Sequence, residues 1–124
     1  LYDINFAGNG SGTGLEATDA AHLFGCSFTG FDTGAAVRDG GWVIFQNCTF
    51  DGNGTGLLFN SKESDLISPG MSGNVFRNNK VGLHITAVPK DTPLQLNNCL
   101  FTNNGTDIQN DCGNNIDTRE SVFQ

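Results

Sequence analysis

The sequence predicts an all-β chain wound into a stack of short parallel strands, and three observations predict it. First, a phenylalanine recurs at near-fixed spacing: Phe6, Phe28, Phe50, Phe76, Phe101 and Phe123 follow one another at intervals of 22, 22, 26, 25 and 22 residues. Second, the text around this anchor recurs, as in Cys26-Ser27-Phe28, Cys48-Thr49-Phe50, Asn74-Val75-Phe76 and Cys99-Leu100-Phe101. Third, no stretch carries helix formers at 3.6-residue spacing, while Asn-Gly turn signals stand at Asn9-Gly10, Asn53-Gly54 and Asn104-Gly105. A repeat of this length decides the fold before any local propensity does.

Within one coil the elements follow in order. Five residues before the anchor stand Leu23, Phe45, Met71 and Leu96, the apolar centre of one strand. Three before it stand Gly25, Asn47, Gly73 and Asn98, residue types that tolerate the positive φ of a sharp corner. The anchor is the second strand. Six residues after it come Gly34, Gly56 and Gly82, with Asp107 in the same slot and Gly14 fitting if the first Gly-rich turn is two residues longer. Alternating apolar pairs then mark the third strand: Ala35 and Val37, Leu57 and Phe59, Leu83 and Ile85. Strands of three to five residues form no stable sheet alone. Stacked on their copies about 4.8 Å away, they gain ladder hydrogen bonds and a continuous core, in a rod about 25 Å long. A β-sandwich of short strands would not account for the recurring Phe and its neighbours, and a leucine-rich repeat lacks its Leu/Asn pattern here.

Composition narrows the partners. The 124 residues carry a net charge of −7 with six basic side chains, which argues against nucleic acid and anionic membranes. No apolar run approaches the length of a bilayer span, so no membrane insertion is expected. No leader is readable and the chain does not begin with Met, so Leu1 reads as an end made by processing or set artificially. Cys26, Cys48 and Cys99 share one inward column, interrupted by Asn74, and read as buried free thiols rather than a disulfide. Cys112 lies outside that column, and no Cys-x-x-Cys spacing supports zinc. Neither a metal nor a cofactor is expected.

The coil of 22 residues and the Gly/Asn corner resemble the repeat of pectate-lyase-like proteins, and the resemblance covers essentially the whole chain. It implies a right-handed parallel β-helix of about five coils with three parallel sheets, a hand that parallel crossovers favour generally. It also implies where a ligand lies: along the outward face of the strand after the long turn. Two columns line that face here. One runs Glu16, Ala36, Leu58, His84, Gln109, and the other Thr18, Arg38, Asn60, Thr86, Asp111. The candidate binding residues are Glu16, Arg38, Asn60, His84 and Asp111. Longer connections, Ser61 to Pro69 with Lys62, Glu63 and Asp65, and Val88 to Pro93, are expected to wall the face.

No catalytic set is readable on that face. Sugar hydrolysis needs two carboxyl groups roughly 5–9.5 Å apart, and no two acids fall on adjacent coils. The acid cluster beside an Arg or Lys base that a lyase of this family uses is missing, as are the polygalacturonase motifs. His84 reads as a solvated strand residue and Arg38 as a surface charge near Asp39. Asp51 and Arg77, in one outward column, read as a surface ion pair worth under about 1 kcal/mol. Asn9, Asn47, Asn53 and Asn104 begin N-glycosylation patterns that turn chemistry already explains.

The expected function is a β-helix segment, extracellular or on the cell surface, that engages polysaccharide as part of a carbohydrate-active enzyme or as a binding region. The alternative is a structural or adhesive rod, or a protein-interaction β-helix. Leu1 occupies the apolar slot five before Phe6, and one residue follows Phe123, so the repeat runs out mid-coil at both ends. Residues 1–124 are therefore expected to be a fragment of a longer β-helix. The rest of the parent, or a second copy, would pack on the open ends.

Overall fold

The structure, a computed structural model, describes residues 1–38, 41–62, 70–88, 94–112, 116–118 and 120–124. The chain enters through β1 (Asn5–Ala7), β2 (Thr13–Ala17) and β3 (Ala20–Phe24). The next coils are β4 (Ser27–Thr29), β5 (Thr33–Val37), β6 (Trp42–Gln46), then β7 (Thr49–Asp51), β8 (Thr55–Asn60), β9 (Gly70–Ser72). They continue as β10 (Val75–Arg77), β11 (Val81–Ala87), β12 (Leu94–Asn97), then β13 (Leu100–Thr102), β14 (Thr106–Asn110), β15 (Ile116–Asp117) and finally β16 (Val122–Phe123). Every third strand stacks on its copy. The result is three parallel sheets, ordered β1-β4-β7-β10-β13-β16, β14-β11-β8-β5-β2 and β15-β12-β9-β6-β3. The fold is thus an all-β parallel solenoid, as the repeat predicts.

Register follows the anchor. Phe6 pairs with Phe28, Phe28 with Phe50, Phe50 with Phe76, Phe76 with Phe101 and Phe101 with Phe123. The four central rings are buried, and successive rings stack with centroids 4.7–5.1 Å apart. That spacing is the strand separation of the sheet, so backbone hydrogen bonding sets the ring distance. Leu23, Phe45, Met71 and Leu96 form a second fully buried column in register.

The corner works by the conformation foreseen. Asp3, Gly25, Asn47, Gly73, Asn98 and Glu120, each three before an anchor, all have φ between 53° and 68°. An added Cβ on Gly25 would collide with the Asp3 carboxylate, and one on Gly73 with the Asn47 amide. Glycine in alternate coils therefore makes room for the Asx side chain of the coil before. The glycine column has a second cause. A Cβ on Gly14, Gly34 or Gly56 would lie 2.6 Å from the carbonyl oxygen of the next glycine in the column.

Asparagines tie the coils together from inside. Asn53, Asn79 and Asn104 each donate Nδ2 to the anchor carbonyl of the coil before, Phe28, Phe50 and Phe76, at 2.9–3.0 Å. The Asn79 Oδ1 accepts the Asn53 backbone N–H, and the Asn104 Oδ1 accepts that of Asn79. Phe31 holds this slot one coil earlier, and its N–H is accepted by Asn53. Asn74, which interrupts the cysteine column, does the same work at the other corner: it donates to the Phe45 carbonyl and accepts the Cys48 N–H. No buried side-chain nitrogen or oxygen among the described residues lacks a partner. Two of the N-glycosylation patterns, at Asn53 and Asn104, thus have their amide nitrogens committed to the ladder.

All four cysteines are free, with Cys26, Cys48 and Cys99 buried and Cys112 partly exposed. Burial pushes the Cys48 thiol up to about 11 and raises that of Cys99. Since the thiolate is the reactive form, iodoacetamide at neutral pH should label Cys112 alone in the folded chain. Denaturant without reductant should expose the other three. Mass spectrometry reads both states, and labelling of Cys26 or Cys48 only after reduction would contradict the free-thiol column.

Candidate functional site

The middle sheet, β2-β5-β8-β11-β14, carries the candidate face. Glu16, Ala36, Leu58, His84 and Gln109 stand in one register, as the repeat predicts. The second column departs from expectation at one place. The pairing shifts between Ile85 and Ala87, so Asn60 stands opposite Ala87, and Thr86 is displaced from the row. One extra residue in the longer strand β11 causes this.

Two ion pairs bracket the face. Arg38 Nε donates to Glu16 Oε1 at 3.0 Å, and His84 Nε2 meets Asp111 Oδ2 at 2.8 Å. Gln109 Nε2 donates to the same Asp111 oxygen at 3.0 Å. Arg38 is thus the partner of Glu16, and His84 is a carboxylate-bound imidazole rather than a merely solvated residue. Both pairs are built by one geometric move. Glu16 lies opposite Ala36, and Arg38 is two residues on. His84 lies opposite Gln109, and Asp111 is two residues on. Such diagonal neighbours are within reach of long side chains. Reading the sequence down straight columns does not find them; adding the diagonal does. Asn60 lies between the pairs and bonds to neither.

Between the pairs the face carries Leu58 and Asn60. Ala36 points outward by register yet is 1% exposed, and Leu58 is half-buried. Glu16 and Asp111 belong to opposite ends of the sheet, four strand spacings or about 19 Å apart. That is beyond the carboxyl separation of either glycosidase geometry. The walls expected from the Ser61–Pro69 and Val88–Pro93 connections fall largely on residues outside the described ones, as does Asp39. Of their described residues, Ser61 is buried with its hydroxyl donating to the Gly41 carbonyl, Lys62 is exposed, and Val88 joins the core. Among the described residues no three His, Cys, Asp or Glu gather as metal ligands.

The hydrogen bond from His84, helped by that from Gln109, holds the Asp111 carboxyl below its ordinary range. A depressed carboxylate favours the folded state above its unfolded value, near about 3.9, and that contribution is lost as pH falls through the folded value. His84→Ala should therefore move the Asp111 carboxyl midpoint upward in an NMR titration. An unchanged midpoint would show that the pair does not persist in solution. Asp51, on the neighbouring sheet, bonds Arg77 at 2.9 Å, as expected, and also Asn78. Partial burial alone would raise its carboxyl, but these two donors outweigh it and the net direction is down.

Three parallel sheets, one anchor column and internal asparagine ladders define a parallel β-helix. The family model for the right-handed β-helix region matches residues 3–123, and the chain belongs to that family. No curated protein and no solved structure matches it.

Proposed function

We propose that this β-helix engages polysaccharide, outside the cell or at its surface, through the outward face of the middle sheet. One observation carries the reading: half-buried Leu58, with Asn60 two residues on, lies between two polar pairs that keep hydrogen-bonding capacity. Arg38 spends Nε on Glu16, and among the described residues its terminal nitrogens remain for a ligand. His84 spends Nε2, and Gln109 spends its amide nitrogen. A saccharide presents C–H faces flanked by hydroxyls, which suits such an order. Ligand sites commonly combine apolar area with a few placed polar groups.

The distance between Glu16 and Asp111 favours contact without bond cleavage by these two carboxylates. The same distance favours the second reading, a structural or adhesive rod that binds no glycan. A printed panel of neutral and acidic glycans separates the two. Retention of at least one glycan, weakened about tenfold or more in an Arg38→Ala, His84→Ala double variant, is the expected result, since two placed contacts are lost. A blank panel, or binding that ignores both substitutions, would leave the rod.

A further inference from the structure

We infer that the glycan this face takes is a neutral one, lying along the helix axis, and not a uronate or sulfated polymer. The inference rests on the polysaccharide reading above and adds the ligand's charge class. Consider first what charge the face offers. Arg38 is neutralised by Glu16 and His84 is bonded to Asp111, so the four groups sum to −1 with His84 neutral and to zero with it protonated. Arg77, the cation of the neighbouring sheet, is likewise held by Asp51. Lys62, just beyond β8, is not without a partner either. Around them the whole chain carries −7. A polyanion would meet a net field of its own sign, and the counter-charges open to it are the terminal nitrogens of Arg38, whose charge is already shared with Glu16, and exposed Lys80 before β11.

Consider next the donors and acceptors left over. The terminal nitrogens of Arg38 donate. The second oxygens of Glu16 and Asp111 and the Gln109 carbonyl accept, and the second His84 nitrogen accepts when the ring is neutral and donates when it is protonated. A hydroxyl both donates and accepts, so sugar hydroxyls can use all of these. A carboxylate or sulfate only accepts, so each such group set against one of these three acceptors leaves it unpaired and reduces the hydroxyls able to serve it. The coil rise of about 4.8 Å is close to the length of one sugar unit in an extended chain. Successive units would then lie over successive coils, with an apolar sugar face on Leu58.

The test uses the intact chain and two sets of probes of equal length: neutral cello-, xylo- and manno-hexaose, and hexagalacturonate. Calorimetry is run at low and at high sodium chloride. The expected result is binding of a neutral hexaose that changes less than about twofold with salt, with hexagalacturonate at least about tenfold weaker. Glu16→Gln, an exposed change, leaves Arg38 uncancelled. It should raise hexagalacturonate affinity about threefold or more at low salt and make it salt-sensitive. Equal or tighter binding of hexagalacturonate by the native chain, lost in His84→Ala, would overturn the neutral assignment and leave the polysaccharide reading standing. Unchanged hexagalacturonate binding in Glu16→Gln would overturn the charge-cancellation argument. Binding of neither set would remove the polysaccharide reading, and this inference with it.

Discussion

Phe50→Ala is expected to destabilise the chain by about 3–5 kcal/mol, the range for deleting a fully buried aromatic ring. Phe50 is wholly buried, with Phe28 and Phe76 stacked on either side at 5.1 and 4.8 Å. Phe45 meets it edge-on at 5.7 Å. Closing the space left behind would require the coils above and below to approach, and their separation is already fixed by ladder hydrogen bonds through β4, β7 and β10. The cavity therefore stays open, and the loss belongs in the upper part of the range. Urea unfolding followed by far-UV circular dichroism measures it. A loss below about 1 kcal/mol would mean that the column is not the core.

Asn79→Ala should come next, at about 3 kcal/mol, by a different mechanism. Asn79 is 2% exposed, and its side chain accepts from the Asn53 N–H and donates to the Phe50 carbonyl and the Asn104 amide. Removing the amide strands two buried backbone groups at once, at about 1–3 kcal/mol for each unsatisfied group. Asn79→Asp sharpens the test, because it keeps the shape and reverses one polarity. A carboxylate oxygen would then face the Phe50 carbonyl, so this variant should be no more stable than the alanine. Chemical denaturation of both against the native chain decides it. An alanine variant within about 0.5 kcal/mol of native would show that water or a backbone shift replaces the ladder.

The fold was legible because its signal is one-dimensional. Phe, the residue five before it and the left-handed corner three before it repeat along the chain, and a parallel in-register stack converts sequence interval directly into spatial neighbourhood. Asn53 and Asn104 were legible as turns and not as ladder rungs, because nothing local distinguishes an asparagine that faces solvent from one that turns inward. The glycine column was legible as a pattern, while its cause, a carbonyl oxygen of the neighbouring coil, exists only after stacking. At the candidate face the straight columns were read, and the two ion pairs were missed because each joins residues offset by two between coils. The displacement of Thr86 was missed for a similar reason: a bulge depends on the mismatch of two strand lengths, and each strand alone looks regular.

The corner has a consequence for how such a molecule changes length. The left-handed residue three before each Phe never moves in register, whereas the intervals of 26 and 25 residues arise where the connections after β8 and β11 are long. The tract from one corner to the next is thus a self-contained module. Duplicating 22 residues in a gene would insert one complete layer, satisfy its hydrogen bonds on both sides, and lengthen the rod by about 4.8 Å. Deleting a single residue within a strand would instead turn its inward side chains outward. Growth in whole layers is therefore tolerated and slippage is not, so the length of this protein is adjustable by evolution or by an engineer only in fixed increments.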